Sequence, residues 1–178
     1  MIYGTYGVSG YNGPMLANSS GYQANNQELV LILTSSELSQ FPVATNTVNQ
    51  ANARNPQKTT FLYAQRALST EPGLGWDAVY RDPWGMPYIV TIDLDQDGWV
   101  QPALYRLDSV GQKSGYAGHV GLARQIAGGS DNLGLRRRVA IWSMGPARAF
   151  TAGAKATGEA VIGGKTVRNS DNVLSWDR

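Results

Sequence analysis

Apolar residues recur at helical spacing in only one short place. In residues 25–38, NNQELVLILTSSEL, positions Leu29, Ile32 and Leu33 fall at i, i+3 and i+4 and predict one buried stripe of a short helix. Asn25 or Asn26 stands where a cap belongs. Glu28 follows in the first turn, where the helix dipole favours an anion. A buried strand is the alternative for so brief a run. Strict alternation appears once, from Tyr88 to Leu94, with Tyr88, Val90, Ile92 and Leu94 on one face. Ile89, Thr91 and Asp93 lie on the other, which predicts a strand with a wetter second face. Trp99 to Tyr105 can supply a returning strand, with Pro102 suited to its edge or end. Val139 to Trp142, VAIW, reads as a further strand.

Between these runs the pattern is weak. Residues 1–24 carry Gly, Asn, Ser and Pro without periodicity and read as irregular. Residues 39–60 form a long polar loop, and 71–78, EPGLGWDA, a turn region. Phe61-Leu62-Tyr63 is a brief apolar segment between them. Residues 108–135 are glycine-rich, with a short helical turn near Leu122–Ile126, and 145–172 form a long irregular tail. Trp176, two residues from the end, is expected to dock back on the body, since a free indole would leave its apolar area in water. The sum is an α+β fold with little helix, a small antiparallel sheet and long ordered loops.

Composition agrees with this picture. The chain has 178 residues, 42% of them hydrophobic, enough for one domain with a sizeable core. Its 21 glycines favour turns over long helices. Charged residues make up only 16% and the net charge is +2, so nothing points to a nucleic-acid partner. The one dense cationic run, Arg136-Arg137-Arg138, reads either as a solvated strand start or as a site for phosphate or acidic lipid. With no cysteine there is no disulfide, thiolate metal site or cysteine nucleophile. No window reaches the ~20 apolar residues that cross a bilayer.

Candidate chemistry is sparse. Asp93, Asp95, Asp97 and Gly98 spell the first half of an EF-hand loop, but position 12 is Leu104 instead of a bidentate Glu, and the flanks are not helical. Asp-Gly is also a hairpin-turn signal, and a hairpin from Tyr88 to Leu104 with Asp95 and Asp97 bonding turn N–H groups accounts for the stretch without metal. A lone His119 cannot build a multi-histidine zinc site, and no GxSxG elbow accompanies it. Gly163-Gly164-Lys165-Thr166 matches only the last letters of a phosphate loop. Nothing here predicts an enzyme. Near the end, Asn169, Asp171, Asn172 and Asp177 supply hard oxygens that suit calcium or, more plainly, Asx turns.

Five motifs occur in order: NNQELVLIL, ARNPQKTTFL, VYRDPWGMPYIVTIDLDQDG, VAIWSMGP and DNVLSWD. Together they resemble the headpiece of a type II secretion major pseudopilin, in the type IV pilin-like family, over roughly residues 25–178. The matching is poor in 108–135 and 147–168. The resemblance implies a single pilin-like periplasmic domain spanning 1–178. It also implies a cleaved leader and an N-terminal transmembrane helix that this sequence does not contain. Such a subunit is anchored in the inner membrane, forms a homo-oligomeric filament through that helix, and meets minor pseudopilins and an inner-membrane assembly platform. Its task is structural: a pseudopilus or pilus-like filament acting in protein secretion. A soluble extracellular binding or adhesion module is the alternative.

Under this resemblance Pro83, Trp84, Gly85, Pro87 and Tyr88 shape the turn into the strand, with Trp84 anchored in the core. Asp95, Asp97 and Gly98 form the turn after it, Trp142 lies on a later strand and Trp176 tethers the C-terminus. Family members commonly hold calcium in the C-terminal loop, which makes Asp171 and Asn172 the candidate ligands. Where the family pattern has an aspartate–glycine pair after SxGP or SxGA, this chain has Ala147-Arg148, which removes a carboxylate and brings a cation.

Overall fold

The computed structural model describes residues 2–3, 22–23, 26–42, 47, 49–68, 71–114, 117–124, 129–151 and 153–176. The expected irregular run 1–24 thus lies mostly outside the described residues, as do Asn25 and Asp177. The fold is α+β. Two short strands, β1 (Ile2–Tyr3) and β2 (Tyr22–Gln23), precede helix α1 (Gln27–Thr34). A small pair, β3 (Gly73–Leu74) and β4 (Tyr80–Arg81), leads to β5 (Ile89–Ile92). After α2 (Asp108–Gly111) come β6 (Gln112–Ser114), β7 (Ala117–Gly118), β8 (Ala123–Arg124) and β9 (Leu133–Gly134), which make a small antiparallel sheet. Then follow β10 (Val139–Ser143), β11 (Glu159–Ile162), β12 (Lys165–Arg168) and β13 (Val173–Leu174).

The main sheet runs in the order β13-β10-β5-β1-β2. β10 lies antiparallel to both β5 and β13, with Trp142 opposite Ile89 on one side and Leu174 on the other. One face therefore carries Ile89, Thr91, Ala140, Trp142 and Leu174, and it is the floor of the larger core. That face was expected to be the wetter one. Ile89 and Thr91 are instead buried, and Leu94 on the supposedly drier face is 58% exposed. The cover comes from residues remote in sequence: Val100, Leu104, Tyr105, Leu133, Phe150 and Trp176. Local alternation sets which residues share a face, but not which face the rest of the chain covers.

The hairpin expected between Tyr88 and Leu104 does not form. β5 is flanked by β10 and β1, so both its edges are taken. Val100 bridges Leu135 instead, and the chain then turns helically, with the Arg106 N–H donating to the Pro102 carbonyl. Pro102 suits the start of such a turn because its missing donor is not needed there. Ala103, Leu104 and Tyr105 are thereby delivered into the core. In the tail, by contrast, β11 and β12 form a regular hairpin joined by Gly163 and Gly164, both at positive φ. Two such residues make the primed turn that matches strand twist. The apparent fragment of a phosphate loop is this turn.

Helix α1 also departs from its expected stripe. Val30 and Leu31 are the deeply buried residues, in a second cluster with Phe41, Leu74 and Ala78. Leu29, Ile32 and Leu33 are only half-buried. Asn26 precedes the helix but makes no side-chain cap. Its Nδ2 donates to the carbonyls of Tyr80 (2.7 Å) and Tyr88 (3.1 Å), and its Oδ1 accepts from Tyr80 N–H at 2.8 Å. One asparagine thus joins the helix start to β4 and to the residue before β5. Glu28 accepts from the Thr47 hydroxyl at 2.5 Å and from Asn49 N–H at 3.2 Å. At the other end, Asn55 Nδ2 donates to the Ile32 carbonyl at 2.9 Å, and Phe61 and Leu62 N–H groups reach Leu33. Carbonyls that the helix end leaves without intrahelical partners are thus met by Asn55, Phe61 and Leu62.

Candidate functional site

Between α1 and the free face of the main sheet lies a groove of about 380 Å³. Its walls are Leu29, Val30 and Leu33 of α1, and its floor is Val90, Ile92, Val139 and Ile141. The strand register explains the floor: Val139 faces Ile92 and Ile141 faces Val90 across β5 and β10. Alternation puts Ala140 and Trp142 into the core and therefore turns Val139 and Ile141 outward, at 42% and 37% exposed. Four β-branched side chains then form an apolar strip on the outside of the sheet, only part of it under α1. The alternation from Tyr88 to Leu94 groups Val90 with Ile92 but does not show that this face is the less covered one, because β5 and β10 are apolar on both faces. That two-sided apolarity is the signal the sequence offered.

The turn that leads into β5 is built around Asp82. Its carboxylate is fully buried and accepts from Trp84 N–H (2.9 Å), Met86 N–H (2.8 Å) and the Ser143 hydroxyl (2.5 Å). Ser143 Oγ accepts in turn from Gly145 N–H at 3.0 Å. Gly85 closes the turn at φ +85°, where side chains are disfavoured. Trp84, expected as the core anchor, is only half-buried and belongs to neither core cluster. Asp82 is the anchor, and Met86 is the residue of the turn that packs on the larger core. Pro83 is exposed, and Pro87 bridges Arg81. Tyr88 is half-buried against Tyr80, with ring centroids 5.5 Å apart. Burial, and after it the nearby Tyr80 and Asp82, pushes its phenol above the usual range.

After β5 the chain enters the acidic loop. Asp93 Oδ2 accepts from Gly98 N–H at 3.0 Å and Asp97 Oδ1 from Trp99 N–H at 2.8 Å, with Gly98 at φ +82°. Asp93, Asp95 and Asp97 each bring a carboxylate oxygen within 4.8 Å of the others. The cluster lies at the surface, with Asp95 and Asp97 exposed. Partial desolvation pushes the Asp93 carboxyl up, but donation from Gly98 N–H, contact with Asp95 and the loop backbone outweigh it and hold the group below the usual carboxylate range. A set of hard carboxylate oxygens at this spacing could coordinate a metal ion.

The C-terminal residues are arranged differently. Asn169 is buried and spent on structure: its Oδ1 accepts from Thr151 N–H, and its Nδ2 donates to the carbonyls of Thr151 and Ala154. Asn172 donates from Nδ2 to the Tyr105 hydroxyl at 2.8 Å, while its Oδ1 is buried without a partner among the described residues. Asp171 is half-buried, and its backbone carbonyl presses on Gly145, where a Cβ would lie 1.8 Å away. Among the described residues, Asp171 belongs to no group of three potential ligands from His, Cys, Asp and Glu. Arg148 adopts φ +53° at the end of a turn over Gly145–Ala147.

Trp142 and Trp176 are both buried and meet Tyr105 edge-on, with ring centroids at 5.4 and 5.5 Å. His119 sits half-buried in a turn over His119–Gly121, away from the acidic loop in sequence and in no metal-ligating cluster among the described residues. No helix among the described residues is long and apolar enough to cross a membrane. Compared with family models, curated proteins and solved structures, the chain matches none.

Proposed function

We propose that this chain is the headpiece of a pilin-like filament subunit, of the type II secretion pseudopilin kind, whose apolar groove seats a long N-terminal helix. The groove carries the reading. It is apolar, open along one side, and floored by two neighbouring strands. Strands spaced ~4.8 Å apart present a width that suits one helix of about 10 Å diameter. A helix that also anchors in the inner membrane would be apolar enough to fill it. Assembly then runs through that helix, with minor pseudopilins and an assembly platform as partners, and the headpiece does no catalysis.

The test starts with the native reading frame, which should encode a leader and ~20 apolar residues ahead of Met1. Because the chain contains no cysteine, paired cysteines report cleanly. Ile141→Cys should cross-link to a cysteine on the groove-facing side of the preceding helix in the full-length protein. A frame without such a helix, or a helix that never links to Ile141→Cys, overturns the proposal.

For the ion we propose calcium, since carboxylate oxygens suit a hard cation. The acidic loop offers three carboxylates, whereas Asp171 and Asn172 offer one carboxylate and one amide oxygen. Phe61, Tyr63 and Trp76 support a second reading, that of a binding or adhesion module. They are 66%, 87% and 49% exposed, and exposed aromatic side chains offer apolar bodies for ligand contact. That reading predicts ligand binding by a chain that does not assemble.

A further inference from the structure

We draw no further inference here: the strongest candidate, the acidic loop 93–97 set beside the exposed arginine run 136–138 at one end of the main sheet, carries nothing because these opposite charges already flank each other across neighbouring strands and no second feature there points to a ligand or partner.

Discussion

Asp82 concentrates the most consequence in one side chain. Three donors converge on its carboxylate, and no cation lies among those partners. Asp82→Ala strands two backbone N–H groups and a hydroxyl in the interior. The expected cost is on the order of 3 kcal/mol, read as a lower urea midpoint with unchanged slope. A loss under 0.5 kcal/mol, on the order of an ordinary surface change, would refute this account of the turn. Gly145 is the second such position, at φ +60° against the Asp171 carbonyl. Gly145→Ala has nowhere to put its methyl, so the 143–148 and 169–172 segments must separate. Proteolysis confined to those segments should rise even where the rest of the chain stays folded. Both roles were only partly legible in sequence. DPWG advertises a turn, but the buried Ser143 partner lies sixty-one residues away in the chain, and no spacing rule reaches that far.

Among the elements, α1 shows how far local pattern goes. Its position is written in the apolar run, and its length in the polar residues that follow. Its buried side is not, because two flanks compete: one meets Phe41 and Leu74, and the other lines the groove. Its end is held by Asn55, so Asn55→Ala leaves the Ile32 and Thr59 carbonyls without that donor. About 1–2 kcal/mol should be lost, seen as a lower midpoint in thermal or urea unfolding. The β3–β4 unit beside α1 carries the Arg81–Asp77 ion pair at 2.5 Å. Burial pushes the Asp77 carboxyl up, yet bonds from Arg81 and from Val79 N–H outweigh it and leave it below the usual range. A depressed carboxyl stabilises the fold above its unfolded value and loses that contribution as pH falls through the folded one. Arg81→Leu should therefore flatten the acid limb of a stability–pH curve below about pH 4. The effect is small because the carboxylate is partly exposed.

At the scale of the whole molecule, β5, β10 and β13 of the main sheet bury one face, with Ile89, Thr91, Ala140, Trp142 and Leu174, and leave the other half-covered. Ile141→Asp separates the roles of the two faces. Its side chain stands outside the core, so the chain should keep its unfolding free energy to within ~1 kcal/mol, while under the proposed function helix seating and filament assembly should be lost. Assembly that proceeds with a carboxylate on the groove floor would count against the helix seat. Calcium gives a second whole-molecule readout, since an ion that binds only the folded form raises the unfolding midpoint. At millimolar calcium against chelator, the rise should vanish in Asp95→Asn/Asp97→Asn and survive in Asp171→Asn. The opposite pattern moves the ion to the C-terminal loop, and no rise in the unsubstituted chain removes it.

By itself the sequence determined what is local: an α+β chain with a short helix within 25–38, strands near 88–94 and 139–142, and a proline-stiffened turn after Asp82. Those follow from spacing and turn chemistry between near neighbours. Tertiary structure decided the rest. It chose Ile89 and Thr91 over Tyr88 and Ile92 for the deep core, and it turned Trp99–Tyr105 away from β5. It also made asparagines 26, 55 and 169 into brackets between distant segments. The physical reason is the same throughout. A strand apolar on both faces, or an asparagine with both donor and acceptor, is compatible with several partners, and only the packing of remote residues selects one.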